Sequence, residues 1–182
     1  MHTDITPSDL VAFWKDAGPS KWFAKDDAFD ALFRQRFEPA HFTAARRALD
    51  HWAETPEGSL ALLILLDQFP RNLFRGTGHA FATDPLARHF AIKAVDGGQD
   101  GAVGNEMKRF FYLPFQHHED MTSQDRQRIL FQRMDRAVED RWAEHHHRVI
   151  ATFGRFPHRN AALGRETTPE EQAFLDQDGF RG

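Results

Sequence analysis

The sequence predicts an all-helical protein assembled from antiparallel helix hairpins. Three observations carry this. Apolar residues recur at helical spacing along nearly the whole chain, Thr-Pro or Asp-Pro pairs mark four helix starts, and no stretch alternates apolar and polar residues as a strand would. Short links between the helices favour hairpins stacked as a bundle or a short solenoid, about eight or nine helices in all.

Taken in order, Thr6–Pro7 caps the first helix and Gly18–Pro19 stops it, with Leu10, Phe13, Trp14 and Ala17 as its apolar stripe. Phe29, Leu32, Phe33 and Phe37 mark a second helix. Pro39 starts a third, with Phe42, Ala45, Leu49 and Trp52 turned inward. Thr55–Pro56 opens a fourth, which is apolar nearly all round from Leu60 to Gln68 and therefore central. Asp84–Pro85 caps a fifth, with Leu86, Phe90, Ala91 and Ala94 inward and Gly97–Gly98 as its stop. After a loop from Gln99 to Asn105, Met107, Phe110 and Phe111 give a short sixth helix ending at Pro114. The seventh starts near Thr122 or Ser123 and runs through Ile129, Leu130, Met134 and Val138. The eighth carries Trp142, Val149, Ile150 and Phe153 and stops at Gly154. Thr168–Pro169 starts a short last helix with Phe174 and Leu175.

The chain has 182 residues, and no shift in composition divides it, so a single domain over 1–182 is expected. There is no cysteine, which excludes disulfides, thiolate metal sites and a cysteine nucleophile. The net charge of −4 argues against a dedicated nucleic-acid binder. The start Met1-His2-Thr3-Asp4 lacks the basic and apolar regions of a secretory leader, and the longest apolar run, Leu60 to Leu66, is too short for the ~20 residues of a membrane span. A cytoplasmic protein with no membrane partner is expected.

The polar residues gather in a few places. Asp67-Gln68-Phe69-Pro70-Arg71-Asn72 follows the fourth helix, and Arg155-Phe156-Pro157-His158-Arg159-Asn160 echoes it after the eighth, so two similar helix exits are expected. Asp67 shares the stripe of Leu60, Leu63 and Ile64, which aims its carboxylate inward. A buried carboxylate needs partners, and Arg71, Arg75 and Arg159 qualify. His117-His118-Glu119-Asp120 sits at a helix start, where acids are ordinary capping chemistry and a His–Glu pair is also a general acid–base arrangement. In His145-His146-His147 consecutive side chains diverge by about 100°, so they cannot share one metal ion. His146 alone falls on the apolar stripe, and the other two are expected at solvent. From His145 to Arg165 no acid interrupts four arginines and four histidines. No metal site and no cofactor is expected.

Beyond these local patterns, the chain resembles the bacterial family called domain of unknown function 924. The resemblance is carried by Leu66-Asp67-Gln68-Phe69-Pro70-Arg71-Asn72 with Arg75-Gly76 and Ala82-Thr83-Asp84-Pro85, by Phe110-Phe111-Tyr112-Leu113-Pro114 with His117 and Glu119-Asp120, and by Arg155 to Asn160 with Leu163-Gly164-Arg165 and Thr168-Pro169-Glu170-Glu171. It departs at His118, where the family shows a small hydroxyl residue. His146 matches a histidine of the family's helix before the last motif. The resemblance implies a tetratricopeptide-like, right-handed helical array and no particular activity.

The functional expectation is a binding module. Asp67, Arg71, Asn72, Arg75, His117, Glu119, His146, Arg155, His158, Arg159 and Asn160 would line a polar concavity for a small anionic molecule or an acidic peptide, with arginines holding the anion and asparagine amides orienting it. One alternative is a hydrolase or lyase in which His117 or His158 is the general base, Glu119 or Asp67 orients it and the Arg71–Arg159 pair stabilises negative charge. The other is a purely structural polar network.

Overall fold

The computed structural model describes residues 5–134 and 137–178; the side chains of 137–140 and 178 lie outside that description. Every regular element among the described residues is helical. They are α1 (Pro7–Ala17), α2 (Pro19–Trp22), α3 (Asp27–Ala45), α4 (Pro56–Leu63), α5 (Phe69–Leu73), α6 (Asp84–Asp96), α7 (Asn105–Gln116), α8 (Met121–Gln132), α9 (Ala137–Phe153) and α10 (Pro169–Asp178). Three-residue-per-turn segments at Asp50–Glu54, Gly78–Phe81, Gln99–Ala102 and Pro157–Arg159 join some of them, and a π-helical turn, Ile64–Gln68, links α4 to α5. No helix among the described residues is long and apolar enough to cross a membrane.

The cap signals act as the sequence predicts. Thr6 and Asp9 form a capping box on α1, and Thr55 Oγ1 accepts from Gly58 N–H at 3.1 Å on α4. Gly18 at φ 72° and Gly154 at φ 70° end α1 and α9 in a conformation that side chains resist. Several boundaries differ from expectation: α3 ends at Ala45, short of Leu49 and Trp52, α8 ends at Gln132, short of Met134 and Val138, and two others differ at proline. Pro39 lies inside α3 and Pro114 inside α7. At α3, Phe37, Ala40, His41 and Ala44 form one buried face across the proline, and this packing outweighs the lost backbone bond. The inward stripe shifts as well: His41 is buried and Phe42 is 37% exposed. Trp142, expected inward on α9, is 49% exposed, and Val138 lies outside the described side chains.

The chain groups into two units: residues through Arg75 with His79–Pro114, and Gly76–Gly78 with the residues from Phe115 onward. In the first unit α4 is central, with Leu60 to Leu66 wholly buried. α1 and α6 pack on it, and aromatic rings fill the gap towards α3. Phe13 stacks on Phe29 at 5.4 Å, Trp14 on Trp22 at 6.1 Å, and Phe33 meets Phe69 edge-on at 4.8 Å. The phenylalanine-rich composition is therefore core. In the second unit α8 packs along α9, and Val149, Ile150 and Phe156 form a cluster closed by Phe153 and Phe174.

The π turn has a local cause. Pro70 has no N–H and its ring would crowd the Leu66 carbonyl in α geometry. The backbone widens, Phe69 N–H bonds to Ile64 O, and the Leu65 and Leu66 carbonyls need other donors. His41 Nδ1 donates to Leu65 O at 2.8 Å and Thr83 Oγ1 to Leu66 O at 2.5 Å. The proline motif is thereby pinned from α3 and from the residue before α6.

Candidate functional site

In the first unit the π turn delivers Asp67 to the interior, as its stripe position predicts. Arg71, one turn on, meets it at 3.1 Å and forms a bidentate pair with Asp84 at 2.7 and 2.9 Å. Gln68 Nε2 donates to Asp67 Oδ2 at 2.6 Å, and Arg71 Nη1 also donates to the Asp67 carbonyl at 2.9 Å. Burial works against the Arg71 charge, yet Asp67 and Asp84 hold its pKa above the usual arginine range. Arg71 thus ties the π turn to the start of α6. Asp84, which the sequence suggests as a cap, sits just inside α6 and spends its carboxylate on this pair.

Asn72, in α5, and Arg75, just after it, take other partners. Arg75 Nη1 donates to the Asn72 carbonyl at 2.7 Å and to Asp30 Oδ2, and its Nη2 to Ala24 O at 3.3 Å. Arg34, on α3, donates to Leu73 O at 2.8 Å and to Glu38 at 2.6 Å, and lies over the Phe74 ring at 5.3 Å. Together with Lys25, Asp27 and Asp30 these residues line an open cavity of about 450 Å³. Asn72 is only 6% exposed, and its Nδ2 has no hydrogen-bond partner; neither does the buried Asp30 Oδ1. Buried polar atoms without partners are rare, and a donor and an acceptor both orphaned beside one cavity call for an explanation. Sequence reasoning named Asn72 and Arg75 here but missed Lys25, Asp30 and Arg34. The acid and base spacing of Asp27, Asp30 and Arg34 along the first turns of α3 was the available signal, and it reads equally as a solvated helix face.

The second unit holds the remaining named residues. Glu119 accepts from Phe156 N–H at 2.8 Å and pairs with Arg165 at 2.9 and 2.7 Å. Burial would raise the Glu119 pKa, but Arg165, Phe156 N–H and Arg159 together hold it below the ordinary value. Arg155 grips Glu171 through two bonds, 2.6 and 2.8 Å, and Asn160 Nδ2 donates to the same carboxylate at 3.0 Å. With Thr168 N–H also on it, Glu171 is held down to a pKa of about 2, chiefly by Arg155. Thr168 and Glu171 make a reciprocal cap at the start of α10. Buried Arg159 donates to His117 O at 2.8 Å and lies over Phe156 at 4.6 Å. The two proline exits share a proline within the first two positions of a helical turn, but one continues as α5 and the other as a single tight turn at Pro157–Arg159.

His146 is buried, as its stripe position predicts, and its Nδ1 donates to Trp142 O at 2.8 Å. Its ring stands 6.4 Å from His117, 6.1 Å from His145 and 5.5 Å from Phe156, and the His158 ring lies tilted against Phe156 at 5.6 Å. Burial first, then the neighbouring His117, His145 and His158, push its pKa well below the ordinary histidine value, so it is a neutral imidazole at pH 7. His145 and His147 are half-buried rather than facing solvent; His147 Nε2 contacts Asp125 at 2.9 Å. Asp120 caps α8 through Ser123 N–H at 2.9 Å. No group of three or more metal-ligating side chains is found among the described residues.

The comparisons agree with the motifs. The solved structure of a protein of unknown function from Agrobacterium tumefaciens, ATU0120, is 56% identical, with a TM-score of 0.91 over 94% of this chain and 97% of that one. No curated protein matches. The family model described as a bacterial protein of unknown function, DUF924, matches residues 10–179. On these motifs, that match and that relative, the chain belongs to the bacterial DUF924 family.

Proposed function

We propose that this protein is a binding module for a small carboxylate-bearing molecule, held in the cavity between the start of α3 and the Asn72–Arg75 turn. One observation carries the reading: three cationic side chains, Lys25, Arg34 and Arg75, line one cavity. Arginine and lysine recognise carboxylates through charge-assisted hydrogen bonds. A volume of about 450 Å³ suits a small ligand, since such pockets run from about 300 to 1,000 Å³. In this reading Arg71, Arg155 and Glu171 are structural, because each is held in an ion pair and none lines the cavity. Asp67 belongs with Arg71, and Glu119 with Arg165. A tetratricopeptide-like stacking of the hairpins is part of the same proposal, supported by the packing of consecutive helices α8 and α9.

The test is calorimetric titration of the whole protein with a panel of small mono- and dicarboxylates and α-amino acids. Binding by at least one is expected, together with its loss in Arg34→Met and Lys25→Met variants that keep the wild-type circular dichroism spectrum. A ligand at a hundred times its Kd adds about 2.7 kcal/mol of stability, which a thermal shift reads independently. A panel without a binder, or one whose binding survives both substitutions, overturns the proposal.

A further inference from the structure

We infer that His41 and His79 form an acid-released latch, which holds the turn Gly78–Phe81 against α3 and the π turn at neutral pH and lets it go when both rings are protonated. The inference stands apart from the carboxylate-binding reading.

The geometry fixes where the protons sit. His41 is wholly buried on α3, and its Nδ1 lies 2.8 Å from the Leu65 carbonyl oxygen. A carbonyl only accepts, so Nδ1 carries the hydrogen and a neutral ring keeps a lone pair on Nε2. That Nε2 stands 3.0 Å from His79 Nε2, so His79 is the donor. One chain of bonds therefore runs from the turn through α3 to the π turn. His79 sits midway between Arg75, which lines the cavity, and Thr83, which donates to Leu66 O. Its ring also lies against Phe74, with centroids 3.9 Å apart.

Two protons act on this chain in opposite ways. His79 is half-buried, and its remaining lone pair is on Nδ1. A proton there leaves the bond to His41 in place and makes it charge-assisted. A second proton, on His41 Nε2, sets two N–H groups and two like charges against each other, and the bond becomes a repulsion. The surroundings give no relief, because they are the Leu65 carbonyl, which is already used, and the rings of Phe42, Phe69 and Phe74. Glu38, on the same helix, favours a proton on His41, but it pairs with Arg34, whose guanidinium lies over Phe74 at 5.3 Å. Burial first, then His79, outweigh the Leu65 bond and Glu38 and keep His41 below the ordinary histidine value.

Nitrogen-15 NMR of the histidine rings and amide hydrogen exchange, on the whole protein from pH 8 to pH 4.5, test the latch. At pH 8 His41 is expected in the Nδ1–H form and His79 in the Nε2–H form. A proton on His79 alone is expected to leave the turn protected. Protection of the Ala82 amide, which donates to His79 O at 3.2 Å, is expected to fall at least tenfold in step with protonation of His41, before the helical circular dichroism signal is lost. His79→Gln separates this from general acid unfolding. Its amide donates to neutral His41 and can turn its carbonyl to protonated His41, so the turn is expected to stay protected across the range. His79→Phe has no donor and is expected to lose the protection already at pH 8. Either ring in the other tautomer overturns the latch, as does a turn that opens only with the whole protein. So does a His79→Phe turn as protected as wild type at pH 8, or a His79→Gln turn that opens in acid as wild type does.

Discussion

His41 donates its Nδ1–H to the Leu65 carbonyl at 2.8 Å, from a helix more than twenty residues earlier in the chain. The bond supplies a donor that Pro70 lacks, and Thr83 supplies the second. Removing either leaves a buried carbonyl unsatisfied, at about 1–3 kcal/mol each. Thr83→Val, nearly isosteric, is expected to lose about that much in urea denaturation. A loss under about 0.5 kcal/mol would mean that the π turn finds another donor.

Arg71→Met strands two buried carboxylates. Breaking a buried ion pair from one side destabilises by about 3–5 kcal/mol, and this variant is expected in that range by chemical denaturation. A neutral outcome would show that Asp67 and Asp84 are protonated or hydrated when Arg71 is gone.

Gly58→Ala has an expected sign opposite to helix propensity. In an ordinary helix interior alanine is preferred over glycine by about 1 kcal/mol. Here an added Cβ would stand 2.0 Å from the Trp52 carbonyl oxygen, a backbone atom, so the turn before α4 must move. Overpacking of this kind amounts to about 1–3 kcal/mol, and a fall in Tm checks it. A rise would sink the argument.

Two histidines set the pH dependence near neutrality, and paired carboxylates, Glu119 and Glu171 among them, set it in acid. His41 and His146 have folded pKa values below the ordinary value, mainly through burial. Above the unfolded value of about 6.5 both states are neutral and these groups add no pH dependence. As pH falls below it, the unfolded chain takes protons that the folded protein refuses, and stability drops until the folded pKa is reached. His79, 3.0 Å from His41 Nε2, opposes its protonation, as do His117, His145 and His158 for His146. Glu171 adds a lower window: its stabilisation is full above the ordinary glutamate range and is lost as pH falls toward about 2. Urea midpoints at pH 7.5 and 5.5 are expected to differ, and His146→Gln to shrink the difference. An unchanged difference in that variant would count against the buried neutral imidazole.

Much of the fold was legible in the sequence because caps and stops are local chemistry. Thr6, Thr55, Thr168 and Gly154 act where their neighbours say they should. The misread boundaries at Pro39 and Pro114 are positions where a buried face spans the proline, information held by tertiary packing. Asp67 and His146 were placed inside by stripe position alone. The cavity was half visible: Asn72 and Arg75 stood out through their motif, while Lys25, Asp30 and Arg34 come from a segment some forty residues earlier, whose charges look like any solvated helix face until the fold brings them together.

The proline at the π turn has an evolutionary corollary. A residue with an amide hydrogen at position 70 would restore a main-chain donor and relieve His41 and Thr83 of their duty. The three positions should therefore tolerate change as a set better than singly. A triple replacement that keeps the protein folded, where single replacements at 41 and 83 weaken it, would be the mark of that interdependence.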